Sequence, residues 1–113
     1  MVFVNPNLDG KRMNVVKTAD NGVVNHETEF LFNQTESVVN AKYAGGLVKR
    51  GFLVGKIKQN QLQFKYAQEH EDGNIAGGES LCDISIEKNG KIILVENFDW
   101  EQGRGRNVFQ ELP

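Results

Sequence analysis

The chain has 113 residues, a formal net charge of -2, one cysteine and two prolines. This length fits one domain. The slightly acidic balance argues against general nucleic-acid binding and predicts no attraction to an anionic membrane surface, and one cysteine excludes an internal disulfide or a cysteine-based zinc cluster. No apolar run approaches the ~20 residues of a membrane-spanning helix, and the N-terminus lacks the pattern of a signal peptide. We therefore expect a cytoplasmic protein that binds neither nucleic acid nor membrane.

Apolar and polar residues alternate along most of the chain, between turns rich in glycine and asparagine. The turn signals are Asp20-Asn21-Gly22, Gly45-Gly46, Asp72-Gly73-Asn74 and Asn89-Gly90, because Gly and Asn tolerate the positive φ of hairpin turns. The pattern predicts strands at 11–19, 24–34, 37–45, 47–58, 62–70, 75–87, 91–101 and 107–112. Residues 102–106 are predicted as a polar loop, and residues 1–10 as an extra strand, a cap on one end or a loose arm.

This series of strands, with almost no helix pattern, indicates an all-β fold. We predict an antiparallel up-and-down eight-stranded β-barrel that forms a single domain over residues 1–113. The two glycines of the fourth strand, Gly51 and Gly55, are predicted to mark a bent or coiled segment of the barrel wall.

The two-residue period of a strand sorts side chains into inward and outward sets. Because strand direction alternates, the inward set divides between the two ends of the barrel. The polar end is predicted to hold His26, Thr28, Tyr43, Gln68, His70, Ser80 and Trp100. The apolar end is predicted to hold Phe32, Val39, Ile57, Leu62, Ile84, Ile86, Ile92 and Leu94. Gln34 does not fit the apolar end, and Glu96 lies nearer the middle.

An inward carboxylate makes Glu96 the most informative residue, because a buried carboxylate must be hydrogen-bonded, paired or protonated. An eight-stranded barrel has room for about one small ligand, and an apolar wall with a few convergent polar groups is typical of ligand pockets. The predicted ligand-binding residues are Tyr43, Tyr66, Gln68, Glu96 and Trp100, with His26, Thr28 and Ser80 nearby. The alternative is a purely structural hydrogen-bond network around Glu96, with the aromatic residues filling the core.

The remaining chemical signals have structural interpretations. His26 and His70 without a nearby carboxylate spacing are weak metal ligands, so we expect no metal and no cofactor. Cys82 has no activating neighbour in sequence and is predicted to be a small inward hydrophobe. The Gly-Arg-Gly-Arg run at residues 103–106 lacks the strand-loop-helix context of a phosphate-binding loop.

A resemblance adds to this interpretation. It is carried by the following residues: Gly22, Glu27-Thr28-Glu29-Phe30, Gln34, Ala41-Lys42-Tyr43-Ala44-Gly45-Gly46, Gly51, Leu53-Val54-Gly55, Tyr66, Gln68, Gly78, Asn89-Gly90-Lys91-Ile92, Glu96, Trp100 and Glu111. Over residues ~10–112 the chain resembles a family of small bacterial proteins with calycin-like, lipocalin- or avidin-type barrels. The resemblance implies that fold and supplies no established active site. Some members carry the label N-acetylglutamate synthase, but an acetyltransferase of the usual type needs a mixed α/β fold, which the pattern does not predict.

Three functions remain open from the sequence. The first is binding of a small molecule in the polar end of the lumen. The second is a lyase, isomerase or hydrolase with Glu96 as general base and Tyr43 or Tyr66 as acid. The third is a structural or interaction module with a filled barrel that homodimerises. Its predicted outward apolar surface consists of Leu31, Ile93, Val95 and Phe109. For the protein in general we expect a monomer or a homodimer.

Overall fold

Eight antiparallel strands pair in chain order in the computed structural model, and the last strand pairs with the first to close a barrel. The structure describes residues 7–18, 24–100 and 103–112, without the side chains of 98–100 and 103–105. The strands are β1 (Arg12–Lys17), β2 (Glu29–Thr35), β3 (Val38–Gly45), β4 (Val48–Lys58), β5 (Gln61–His70), β6 (Ile75–Ile86), β7 (Ile92–Trp100) and β8 (Gly103–Glu111). The predicted all-β, up-and-down eight-stranded barrel is confirmed.

The connections use the expected turn chemistry. Gly45 and Gly46 both have positive φ between β3 and β4, and Gly73 and Gly90 have positive φ in the next two glycine-containing turns. The turn between β4 and β5 consists of Gln59 and Asn60, both with positive φ, and therefore adopts the hairpin geometry without glycine. The predicted turn at Asp20-Asn21-Gly22 lies outside the described residues.

Two predicted strand boundaries are wrong. The second strand begins at Glu29 rather than at residue 24, because residues 25–28 form a turn closed by the hydrogen bond from Thr28 N to Asn25 O (2.9 Å). The eighth strand begins at Gly103 rather than at residue 107, because the Gly-Arg-Gly-Arg run pairs with Asn97–Trp100 of β7. Pairing with β7 therefore makes this run part of a strand despite its loop-like composition.

A cluster of apolar side chains fills the barrel toward one end, as predicted for the apolar end. Phe32, Val39, Leu62 and Leu94 are almost fully buried there. The segment before β1 adds Leu8, which is fully buried in the same cluster. Burial of a leucine side chain contributes about 1.5–3 kcal/mol, so residues 7–11 are part of the fold rather than a loose arm.

Gln34 at the apolar end has a structural explanation. The side-chain carbonyl of Gln34 accepts a hydrogen bond from Leu8 N (2.9 Å). The backbone N–H of Gln34 donates to a carboxylate oxygen of Asp9 (2.9 Å). The backbone of Phe32 pairs with Gly10 and Lys11 on the same segment. Gln34 therefore holds the N-terminal segment against β2.

Two side chains lie on the opposite side from the predicted one. Phe109 is buried and contacts Phe30 edge to face, because it shares the inward parity of Asn107 on the longer β8. Ile86 is 44% exposed, because it lies at the very end of β6, beyond the packed core.

Candidate functional site

A chain of hydrogen bonds links three side chains of β3 and β5 inside the barrel. The Tyr43 hydroxyl donates to Gln68 Oε1 (2.7 Å), and Gln68 Nε2 lies 2.9 Å from His70 Nε2. Gln68 Oε1 accepts from Tyr43, so Gln68 Nε2 is the group that faces His70. Tyr43 and Gln68 are both buried.

The fold fixes the Tyr43 ring from two sides. The ring stacks on Phe30 with centroids 4.4 Å apart. On the neighbouring strand Tyr43 pairs with Gly51, where an added Cβ would overlap the Tyr43 ring. Gly51 therefore provides the space that the tyrosine occupies, whereas the sequence pattern had suggested only a bend.

Glu96 lies on the inner face of β7 and is 7% exposed. Its cross-strand partners are Cys82 on β6 and Asn107 on β8, both buried. Asn107 Nδ2 donates to Glu96 Oε1 (2.9 Å), and Asn107 Oδ1 accepts from the Thr18 hydroxyl (2.7 Å). One carboxylate oxygen is thus held by an amide that is itself held in place.

Burial raises the pKa of Glu96, while the Ser80 hydroxyl and the Asn107 amide act in the opposite direction. Ser80 lies close enough to favour the carboxylate but makes no hydrogen bond of standard geometry, and its Oγ is a buried atom without a partner among the described residues. The protonated form of Glu96 is therefore favoured relative to an exposed glutamate.

The pKa values of three further groups depend in part on Glu96. Burial raises the pKa of Tyr43, with smaller contributions from Tyr66 and Glu96. Burial and the Glu96 charge raise the pKa of Tyr66. Burial, Glu96 and then Asp83 raise the pKa of the Cys82 thiol. Glu96 therefore shares one low-dielectric interior with both tyrosines and the cysteine.

Ser80 Oγ is the buried polar atom that has no hydrogen-bond partner in the described part of the chain. Glu96 Oε2 and Tyr66 Oη, in the same interior, make no hydrogen bond of standard geometry with the described residues. Tyr66 is only partly buried, and its ring packs against Phe64 with centroids 6.0 Å apart. Unsatisfied buried polar atoms are uncommon in native proteins and call for an explanation. We define the site as Tyr43, Tyr66, Gln68, Ser80, Glu96 and Asn107.

The other predicted site residues lie apart from this group. His26 is exposed in the turn before β2, so its predicted inward position is wrong; the alternation had been extended through a turn. Thr28 is fully buried, but its hydroxyl accepts from Asn25 N (3.0 Å) and donates to Gly45 O (3.0 Å), which joins two turns. Trp100 ends β7 opposite Gly103, and its side chain lies outside the described residues.

Sequence reasoning did not find Asn107. One indication of its position was present in the sequence: Asn107 lies in the predicted eighth strand and has the same parity as Phe109, so the two side chains share one face of that strand. The contact with Glu96 depends on the register between β7 and β8, which no local pattern specifies. Within the described ranges, no group of three or more His, Cys, Asp or Glu residues could hold a metal, and no helix is long and apolar enough to cross a membrane.

A second concave feature lies on the outside of the barrel, across β1 to β4. It is an open groove with both charged and apolar walls, and its outward-facing lining includes Arg12, Leu31, Lys42, Arg50 and Phe52. These side chains are half-exposed or charged, and none of them is an unpartnered buried polar group. Among the described residues, the groove therefore lacks the feature that marks the lumen, which is a buried polar atom without a hydrogen-bond partner.

A closed meander of eight strands around a lumen with both apolar and polar walls defines a calycin-like β-barrel. Residues 6–112 match the family model described as avidin-like protein, and the chain belongs to this family. No curated protein matches the chain, and no solved structure matches it.

Proposed function

We propose that this protein is a small cytoplasmic barrel that binds one small molecule in its lumen, at the site around Glu96. Eight-stranded barrels such as lipocalins and streptavidin enclose about one ligand. The observation that carries the proposal is the buried Ser80 Oγ without a partner in the described residues, beside the buried Glu96 carboxylate, whose hydrogen bond of standard geometry there comes from Asn107. A ligand that bonds them would remove an unfavourable feature of the free protein.

The arrangement divides the roles of the site residues. Tyr43 and Asn107 are already held by protein partners, so they shape the site and orient Glu96. Glu96, Ser80 and Tyr66 keep free bonding capacity and would contact the ligand. Trp100, from the end of β7, is proposed to cover the ligand on the same side.

Native mass spectrometry of gently purified protein tests this proposal. We expect an added mass over the denatured protein that is lost in Glu96→Gln and retained in Glu79→Gln. Glu79 is the matched control, because it is an exposed glutamate on β6 that pairs only with Lys65 (3.2 Å). An added mass that survives Glu96→Gln, or equal loss in both variants, would contradict a lumen site at Glu96.

Catalysis fits the same residues less well. A general base benefits from a raised carboxyl pKa, and Glu96 has one. The acid partner would need a pKa near neutrality, but burial raises the pKa of both Tyr43 and Tyr66 further from it. Binding therefore agrees better with the electrostatics than proton transfer does.

One of the residues predicted to form the outward surface of the interaction module does not lie on the surface. Phe109 faces the core, and Leu31, 45% exposed, lies on β2 beside an outer groove that also carries Arg12, Lys42 and Arg50. Arg12 and Arg50 of this groove are ion-paired with Glu29 and Glu69, so the charges of the groove do not by themselves disfavour contact with a second copy. The oligomeric state stays a prediction, which sedimentation equilibrium would test.

A further inference from the structure

Glu96 has no compensating positive charge in the described part of the chain. The four ion pairs found there join Lys11 to Glu111, Arg12 to Glu29, Arg50 to Glu69 and Lys65 to Glu79. In all four, the cationic side chain is more than a third exposed, and none of the pairs involves Glu96. The hydrogen bond of standard geometry to Glu96 in these residues comes from the neutral amide of Asn107, and the nearby Ser80 hydroxyl is neutral as well. A buried carboxylate normally has a cationic or multiple hydrogen-bonding partner.

The groups that face Glu96 from the neighbouring strands do not supply the missing charge. β6 contributes Ser80 and Cys82, and β8 contributes Asn107. Across the lumen are the phenols of Tyr43 on β3 and Tyr66 on β5, and these, with the Cys82 thiol, can only become negative. His70, at the end of the Tyr43–Gln68 chain, contacts Gln68 Nε2 and makes no ion pair with Glu96. Among the described residues, no lysine or arginine side chain pairs with Glu96.

The unpartnered atoms fit a ligand of defined chemistry. Glu96 Oε2 accepts, and Ser80 Oγ can accept as well as donate. The Tyr66 ring, which is only partly buried, belongs to the same interior, and an aromatic face can attract a cation. A group with two or more N–H donors and a positive charge would satisfy all of these features at once.

We propose that the lumen selects an organic cation with several N–H donors, such as a guanidinium, amidinium or primary ammonium group, which binds Glu96 Oε2 and Ser80 Oγ. This inference rests on the proposed lumen-binding function and names its ligand class. Charge-assisted hydrogen bonds to carboxylates are about twice as strong as neutral ones. The cation would balance the charge of the ionised Glu96, for which the described residues supply no ion-pair partner.

Two pairs of probes with nearly equal shape separate charge from size. They are methylguanidinium against N-methylurea and benzamidinium against benzamide. Each is titrated into the full chain by NMR, with the amide signals of Ser80, Cys82, Glu96 and Asn107 as reporters of the lumen. We expect the cation of at least one pair to bind at least about tenfold more tightly than its neutral partner, as measured for close charge pairs.

The variants assign the preference to one residue. We expect Glu96→Gln to abolish the cation preference and Glu79→Gln to retain it. Because the pKa of Glu96 is raised, cation affinity in the wild type should rise as pH increases through its titration and should not do so in Glu96→Gln. Ser80→Ala should weaken the cations while the preference over the neutral probes remains.

The outcomes separate this inference from the proposed function. Equal affinity of cation and neutral probe at the lumen signals would overturn the cation inference and leave lumen binding standing. A cation preference that persists in Glu96→Gln would also overturn it. If no probe shifts the lumen signals, the inference is wrong, and the mass measurement on purified protein decides the proposed function separately.

Discussion

At the scale of single residues, Glu96 couples protonation to stability. Burial raises its pKa in the folded protein above the ordinary value of 4.5 that applies to the unfolded chain. Between these two pKa values the folded state binds more protons than the unfolded state. The free energy of unfolding therefore falls as pH rises through this interval. The contribution of Glu96 is most favourable at acid pH and is lost on ionisation.

This coupling predicts the behaviour of Glu96→Gln. The glutamine does not titrate, so its stability relative to the wild type should increase as pH rises above 4.5 and become constant above the raised pKa. Urea unfolding between about pH 4 and about pH 8 measures the difference. Other carboxyl groups, such as Glu111, occur in both proteins and cancel. A difference independent of pH would show that Glu96 ionises as it does in the unfolded chain.

The two tyrosines of the site should differ in their importance for stability. Tyr43→Phe leaves the buried Gln68 Oε1 without its donor, which costs about 1–3 kcal/mol. Tyr66→Phe removes a hydroxyl with no partner among the described residues and should change stability by less than about 0.5 kcal/mol. Chemical denaturation of both variants tests this contrast. Equal losses would mean that Tyr66 has a stabilising partner.

At the scale of elements, glycines set how closely strands β4 and β5 approach. A Cβ at Gly55 would overlap the backbone carbonyl of Gln63, which cannot move without displacing β5. At Gly78 the nearest atom is Tyr66 Oη at 3.2 Å, the end of a side chain that can rotate. Both positions lie within strands, which makes them a matched pair.

We expect Gly55→Ala to destabilise the protein by about 1–3 kcal/mol, because the strand pair must shift. Gly78→Ala should have little effect on stability and should move Tyr66, so it should alter the NMR signals of the lumen. Thermal unfolding and amide spectra measure both effects. The argument fails if Gly78→Ala is the more destabilising of the two.

The strands also show how far the sequence determines this fold and site. Alternation placed Tyr43, Gln68, Ser80, Cys82 and Glu96 inward, and all are buried. The alternation failed where local pattern and strand pairing disagree. His26 has the same parity as the inward residues of β2 but belongs to a turn, and residues 103–106 look like a loop but form a strand because they pair with β7. The partnership of Glu96 with Asn107 depends on register across two strands, which a single sequence does not encode locally.

At the scale of the whole molecule, closure is the dominant feature. β8 pairs with both β7 and β1, so none of the eight strands has a free edge. Leu8 fills the apolar end, and the site lies toward the other end. Closure protects the wall from edge-to-edge association and makes access to the interior depend on the polar end or on separation of the strands.

Because Cys82 is buried opposite Glu96, the rate at which its thiol is alkylated in the native protein reports on the separation of the strands. Alkylation requires both a thiolate and contact with reagent, and burial together with the raised pKa suppresses both while β6 and β7 remain paired. Modification by iodoacetamide should therefore be slow in the native state, be fast in urea, and slow further when the lumen is occupied. Rapid native labelling would reveal a wall that opens often, and the ratio of its rate to the rate in urea would give the population of the open barrel.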